Sequence, residues 1–160
     1  MPDSGAKESE QNKPMTKERL SNYLGIQLRV DNREERLERM KSNEQFPAAK
    51  ESDGSKHVVT GYDRMGNAIT KRLEYWEKIK DDMEADKAEL DAVEQAVKAL
   101  RDPLEQEVLR LRYLEGDCNR LMKWRNVALI MYHDDSDADI LRVQRLHQKA
   151  IEHIENGEGV

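Results

Sequence analysis

The sequence predicts an all-α protein: a long antiparallel helical hairpin of coiled-coil type, followed by a helix-turn-helix domain. Three observations predict it. The 160 residues are 38% charged and only 5% aromatic, with a single Phe, which suits a thin apolar seam between long helices better than one compact globule. Apolar residues recur at alternating spacings of three and four over two long stretches, the pattern of an amphipathic helix. The last third of the chain carries helix start and stop signals in quick succession, at Asp102-Pro103, Gly116 and Ser136.

Residues 1–14 (MPDSGAKESEQNKP) are polar and mixed in charge, and read as a disordered tail. They lack the apolar core of a signal peptide, and no later run is long enough to cross a bilayer, so the expected location is the cytoplasm and no membrane partner is expected. Thr16 can cap the first helix. Its stripe is Tyr23, Ile26, Val30, Leu37 and Met40, with Arg33 in one seam position and Leu20, Leu24 and Leu28 widening it. The helix should end near Asn43, before Pro47.

Residues 44–68 contain Pro47, Gly54, Gly61 and Gly66 and show no helical period, so they read as an irregular loop or a small β-hairpin. From Thr70 the pattern returns. Ile69, Leu73, Trp76, Ile79, Met83, Leu90, Val93, Val97 and Leu100 form a second stripe, interrupted at Asp86. A loop able to reverse the chain between two such helices makes residues 15–100 a helical hairpin.

The third part, residues 101–155, holds shorter helices. Leu104, Val108, Leu111 and Leu114 line one, with Gly116 as its expected C-cap. Leu121, Trp124, Val127, Ala128 and Met131 line the next. Ser136 can cap the last helix, whose first turn carries Asp137 and Asp139 where the helix dipole favours acids. Ile140, Val143, Leu146, Ala150, Ile151 and Ile154 form its inner face. Trp124, Val127, Val143 and Leu146 are the expected core of this unit, and residues 156–160 its disordered tail.

The residues exclude several chemistries. Cys118 is the only cysteine, which rules out a disulfide framework or a cysteine metal cluster. Asp135-x-Asp137-x-Asp139 echoes the start of a calcium loop, but Ile140 stands where Gly is needed and Leu146 where a bidentate Glu is needed. His147 and His153 are too far apart for a helical zinc pair. No Gly-rich phosphate loop, nucleophile-base set or carboxylate pair suggests an enzyme, and no cofactor is implied. The net charge of −6 runs against nucleic-acid binding. So does the count over residues 101–155, nine Lys and Arg against eleven Asp and Glu, a difference of −2. Charge segregation matters more than the sum, however. The outer side of the last helix carries Arg142, Arg145 and Lys149, with Gln144 and Gln148 beside them, residue types that read guanine and adenine edges.

Leu100-Arg-Asp-Pro103, Val108-Leu-Arg-Leu-Arg-Tyr-Leu114, Trp124 followed by Val127-Ala128, and Val143-Gln-Arg-Leu-His-Gln-Lys-Ala150 resemble region 4 of bacterial sigma factors. More narrowly, they resemble the phage and prophage sigma-like transcriptional regulators that carry a helical hairpin before that domain. The motifs cover residues 100–154, about a third of the chain; the hairpin matches in layout alone. The resemblance implies a DNA-binding regulator in a bacterial host's cytoplasm. Arg142, Gln144, Arg145, Gln148 and Lys149 would hold duplex DNA, and Lys123 and Arg125 would touch phosphates. The hairpin would dimerise or contact host RNA polymerase, and His147 would sit at the edge of the recognition helix. The segment between Met131 and Val143 departs from the family: it reads as a longer turn, and it is acidic at Asp134, Asp135, Asp137 and Asp139, which would repel DNA. Two alternatives stand beside the regulator. One is a small-terminase-like packaging protein. The other is a degenerate sigma-like interaction module without DNA binding, which the acidic turn favours.

Overall fold

The computed structural model describes residues 13–45 and 61–157, and these are helical throughout apart from short connections. The elements are α1 (Lys17–Gln45), α2 (Gly61–Lys98), α3 (Pro103–Leu109) continued by a π-helical turn (Arg110–Leu114), α4 (Trp124–Tyr132) and α5 (Asp137–Asn156). Among the described residues, no helix is long and apolar enough to cross a membrane.

Two expectations about boundaries are corrected. The irregular stretch assigned to 44–68 is shorter, because α1 runs to Gln45 and α2 begins at Gly61; residues 46–60, with the small hairpin considered there, lie outside the described residues. The helix extends back because Met65 stands four residues before Ile69 and prolongs the stripe. Gly61 and Gly66 cost it only about 1 kcal/mol each relative to Ala. At the other end Asn156 is the last residue of α5 rather than the first of a tail, and Gly157 closes the helix at φ +67. Of the tail 1–14, only Lys13 and Pro14 are described, and their carbonyls accept from the Arg19 guanidinium.

Packing divides the chain differently from the expected break at residue 100. Among the described residues, one compact unit comprises residues 13–28 together with 87–157; the other comprises residues 29–45 and 61–86. In the first unit, Leu20 and Val93 are fully buried along with Val108, Leu109, Val127 and Val143. The start of α1, where the Thr16 hydroxyl accepts from the Arg19 amide, therefore belongs to the same core as the C-terminal helices. Two glycines make that possible. A Cβ on Gly116 would lie 2.0 Å from the Arg120 carbonyl oxygen and 2.4 Å from Leu24 Cδ1, and one on Gly25 would lie 3.0 Å from Asn119 Oδ1. Gly116 is thus not the left-handed helix cap that the sequence suggested. It is the place where a tight turn, with Cys118 (φ 46) and Asn119 (φ 65) at its tip, comes back onto α1.

In the second unit, the two breaches of the apolar stripes are each other's partners. Asp86 is buried and accepts from both Arg29 and Arg33. Glu44 pairs with Arg72, and Arg36 lies over the Tyr75 ring. The partners descend along α2 as they ascend along α1. Beside this polar register, Met65, Ile69, Leu73 and Trp76 are exposed, so the outer end of the α2 stripe is uncovered.

Candidate nucleic-acid interface

Helix α3 opens with Asp102 as N-cap, its carboxylate accepting from the Leu104 amide, and Pro103 in the first turn, where a missing N–H costs nothing. Its inward Glu105, 1% exposed, meets His153 Nδ1 of α5 at 2.8 Å. The π-helical turn that follows aims both Leu111 and Tyr113 into the core.

From α4 to α5 the chain makes a short turn of four residues, His133 to Ser136. This overturns the long turn expected between Met131 and Val143, while Asp137 and Asp139 lie in the first turn of α5 as expected. His133 ends α4 in the left-handed conformation, φ 59, and its N–H bonds the Leu129 carbonyl. Ser136 starts α5 as expected, its hydroxyl accepting from the Asp139 amide. The acids of the turn are engaged locally. Asp134 accepts from the Ser136 amide, Asp139 from the Ser136 hydroxyl, and Asp135 from Arg125.

Helix α5 buries Val143, His147, Ala150, Ile151 and Ile154. His147, 5% exposed, takes the inward position expected of Leu146 and is not an edge residue. Successive residues are about 100° apart on a helix, so Leu146 falls to the flank and is half-buried. His147 Nε2 is hydrogen-bonded to the Tyr113 hydroxyl at 2.7 Å, and Trp124 stands edge-on to the imidazole with centroids 4.7 Å apart. Arg112 lies 4.3 Å from the Trp124 ring centre and donates to the Met122 carbonyl, while its Nε is buried without a partner. Trp124 is consequently half-buried, held between Arg112 and His147 at the mouth of α4, rather than central to the core; Val127 and Val143 are fully buried as expected. Burial sets the titration of this cluster. It lowers the Arg112 pKa and raises that of Tyr113. His147 is lowered to about 4, by burial first and then by the charges of Lys17 and Arg112.

The opposite side of α5 faces solvent. Arg142, Arg145, Gln148 and Lys149 are exposed there, and Gln144 is half-buried at the margin. Arg142 is held over the Tyr132 ring, 4.2 Å from its centre. Lys123 and Arg125 are exposed at the start of α4, and Lys123 lines an open depression with Arg120 and Asn126. Arg125 is occupied by Asp135, so it is not a free cation. Sequence reasoning missed Tyr132, which lies ten residues before the arginine it holds, and the exposed Leu141 just before Arg142. Among the described residues no group of His, Cys, Asp and Glu is placed to hold a metal ion.

No family model matches the chain, and neither the curated proteins nor the solved structures compared with it include a match.

Proposed function

We propose that this protein is a phage-type, DNA-binding transcriptional regulator of the sigma region 4-like kind, and that α4, the four-residue turn and α5 act as a helix-turn-helix. The observation that carries the reading is the two-sidedness of α5. One side is locked into the core, and the other presents Arg142, Arg145 and Lys149 to solvent after a turn of the length such motifs use. A rigid helix of this kind can enter the major groove with its side chains already placed. The acidic turn opposes this less than its composition suggests, because Asp135 is neutralised by Arg125.

In this reading α1 and α2 form an antiparallel hairpin that serves as a partner-binding arm. The paired seam residues Arg33 with Asp86 and Glu44 with Arg72 support a fixed register, and the exposed Ile69, Leu73 and Trp76 support a partner, host RNA polymerase or a second copy of the chain.

Gel retardation with genomic fragments at low salt tests the DNA reading. Wild type should shift duplex DNA with an affinity that falls steeply as salt rises, and Arg142→Ala and Arg145→Ala should weaken it. Asp135→Asn, which frees Arg125, should tighten it. If neither wild type nor Asp135→Asn retards any fragment, the protein-interaction reading replaces this one.

A further inference from the structure

An uncovered apolar surface lies on α2, within the unit formed by residues 29–45 and 61–86. Met65, Ile69, Leu73 and Trp76 are between 37% and 50% exposed. At about 100° per residue they fall within about 80° of one another and make a stripe about three turns long. Its centre lies about 70° round the helix from Ile79, Met83 and Asp86, which are buried against α1. Charge changes sign along the same stretch. Arg72 is engaged by Glu44 of α1, and Asp86 by Arg29 and Arg33. Beyond these, residues 64–72 hold Arg64 and Lys71 and no acid, while residues 73–86 hold five acids against Lys78 and Lys80. The reversal falls inside the stripe, next to Leu73.

We propose, resting on the reading of α1 and α2 as a partner-binding arm, that the partner is a second copy of this chain, held antiparallel along α2 by a twofold axis beside Leu73. The stripe fits itself under that symmetry. Leu73 meets the same residue of the second copy, Ile69 meets its Trp76, and Met65 lies along the aliphatic stem of its Lys80. A twofold contact must be self-complementary in this way. The charges agree with the same direction. An antiparallel pair lays the basic stretch of each copy alongside the acidic stretch of the other, whereas a parallel pair sets like charges level. Arg64, Lys71 and the acids project from the flanks and back of α2 rather than from the stripe. They act across about 10 Å, one Debye length at 0.1 M salt, and set direction more than strength. Four half-covered side chains leave roughly 300–400 Å² per copy, the size of patches that mark interaction sites. Doubled, that is below the roughly 1,200 Å² at which stable interfaces begin, so the dimer is a weak one that forms in the micromolar range.

The test uses the full chain. Sedimentation over a concentration series reaching a few hundred micromolar should show a monomer passing into a dimer. Leu73→Glu, which sets two carboxylates face to face at the axis, should weaken association about tenfold or more. Its melting temperature at low concentration should match wild type, because Leu73 is half-exposed in the single chain. Direction is read by cross-linking. With Cys118→Ser removing the native thiol, Leu73→Cys should oxidise readily to a linked dimer. Met65→Cys should not, since its two copies would lie about 24 Å apart along the helices at about 1.5 Å per residue. A chain that stays monomeric at every concentration overturns the proposal, and so does a dimer that Leu73→Glu leaves intact. Equal cross-linking at both positions overturns the antiparallel arrangement. The arm reading fails separately. It survives a monomeric chain if purified bacterial RNA polymerase binds wild type and not Leu73→Glu, and it falls if neither the dimer nor that complex forms.

Discussion

Acid should loosen the C-terminal helices through one residue, His147. Its imidazole is enclosed by Tyr113, Trp124 and the α5 backbone, with Arg112 and Lys17 nearby, and burial holds its pKa at about 4 against an ordinary value of 6.5. The unfolded chain therefore takes up the proton first. The stability lost is zero well above pH 6.5 and grows as pH falls through 6.5 toward 4. The gap of about 2.5 units corresponds to about 3 kcal/mol, accumulating at up to about 1.4 kcal/mol per pH unit. Carboxylates also titrate toward the lower end of that window, so the informative quantity is the difference from His147→Gln, which cannot take up the proton. Urea unfolding at pH 7.5, 6, 5 and 4.5 should show the wild type ahead of the variant at neutral pH and the gap closing steadily on acidification. A gap that stays constant from pH 7.5 to 4.5 would refute the reasoning, because it would mean that His147 titrates alike in the folded and unfolded chain.

Three further predictions test the packing. Gly116→Ala should destabilise by about 2–3 kcal/mol in chemical denaturation, since its Cβ meets the Arg120 backbone carbonyl as well as the Leu24 side chain. Asp86→Ala should cost about 1–3 kcal/mol by leaving Arg33 with only the more distant, exposed Asp82, while Arg33→Leu with Asp86→Leu should melt near or above wild type; two additive losses would show that the pair does not interact. Trp124→Ala should cost about 2–3 kcal/mol, less than the 3–5 kcal/mol of a fully buried Trp, and a thermal melt at the wild-type temperature would show that the Arg112 and His147 contacts carry nothing.

Much of the helical layout was legible because periodicity and capping are local. Thr16, Asp102, Pro103 and Ser136 mark helix starts that the structure uses, and Val127 and Val143 lie where their stripes put them. Arg33 and Asp86 were visible as two breaches; that they answer one another was not, since pairing across 53 residues leaves no trace in either stripe. His147 was misplaced because imidazole is read as polar, although Tyr113 satisfies its ring nitrogen and lets it occupy the inward position. The turn before α5 looked long because it was measured from Met131 to Val143, although the Ser136 cap and the acids Asp137 and Asp139 already marked the start of the helix. Gly116 was read as a helix cap, and Gly25 carried no signal in the sequence at all. Their role depends on how closely the 117–120 turn approaches α1, which is a tertiary distance.

That approach has a consequence for how the chain reaches its native state. The backbone amide of Lys17 is bonded by the Glu155 carboxylate, 138 positions away, and Leu20, Leu24 and Gly25 pack in the unit that contains the last helix. Bringing such distant segments together carries a loop-closure entropy that local helix formation does not. A protein of nearly pure helix would ordinarily be expected among the fast folders, yet this unit ties its first helix to its last and has the non-local connectivity that slows closure. During synthesis the opening helix emerges long before its partners exist. Its contact with the Glu155 carboxylate, at the Lys17 amide, can form only after α5 has left the ribosome.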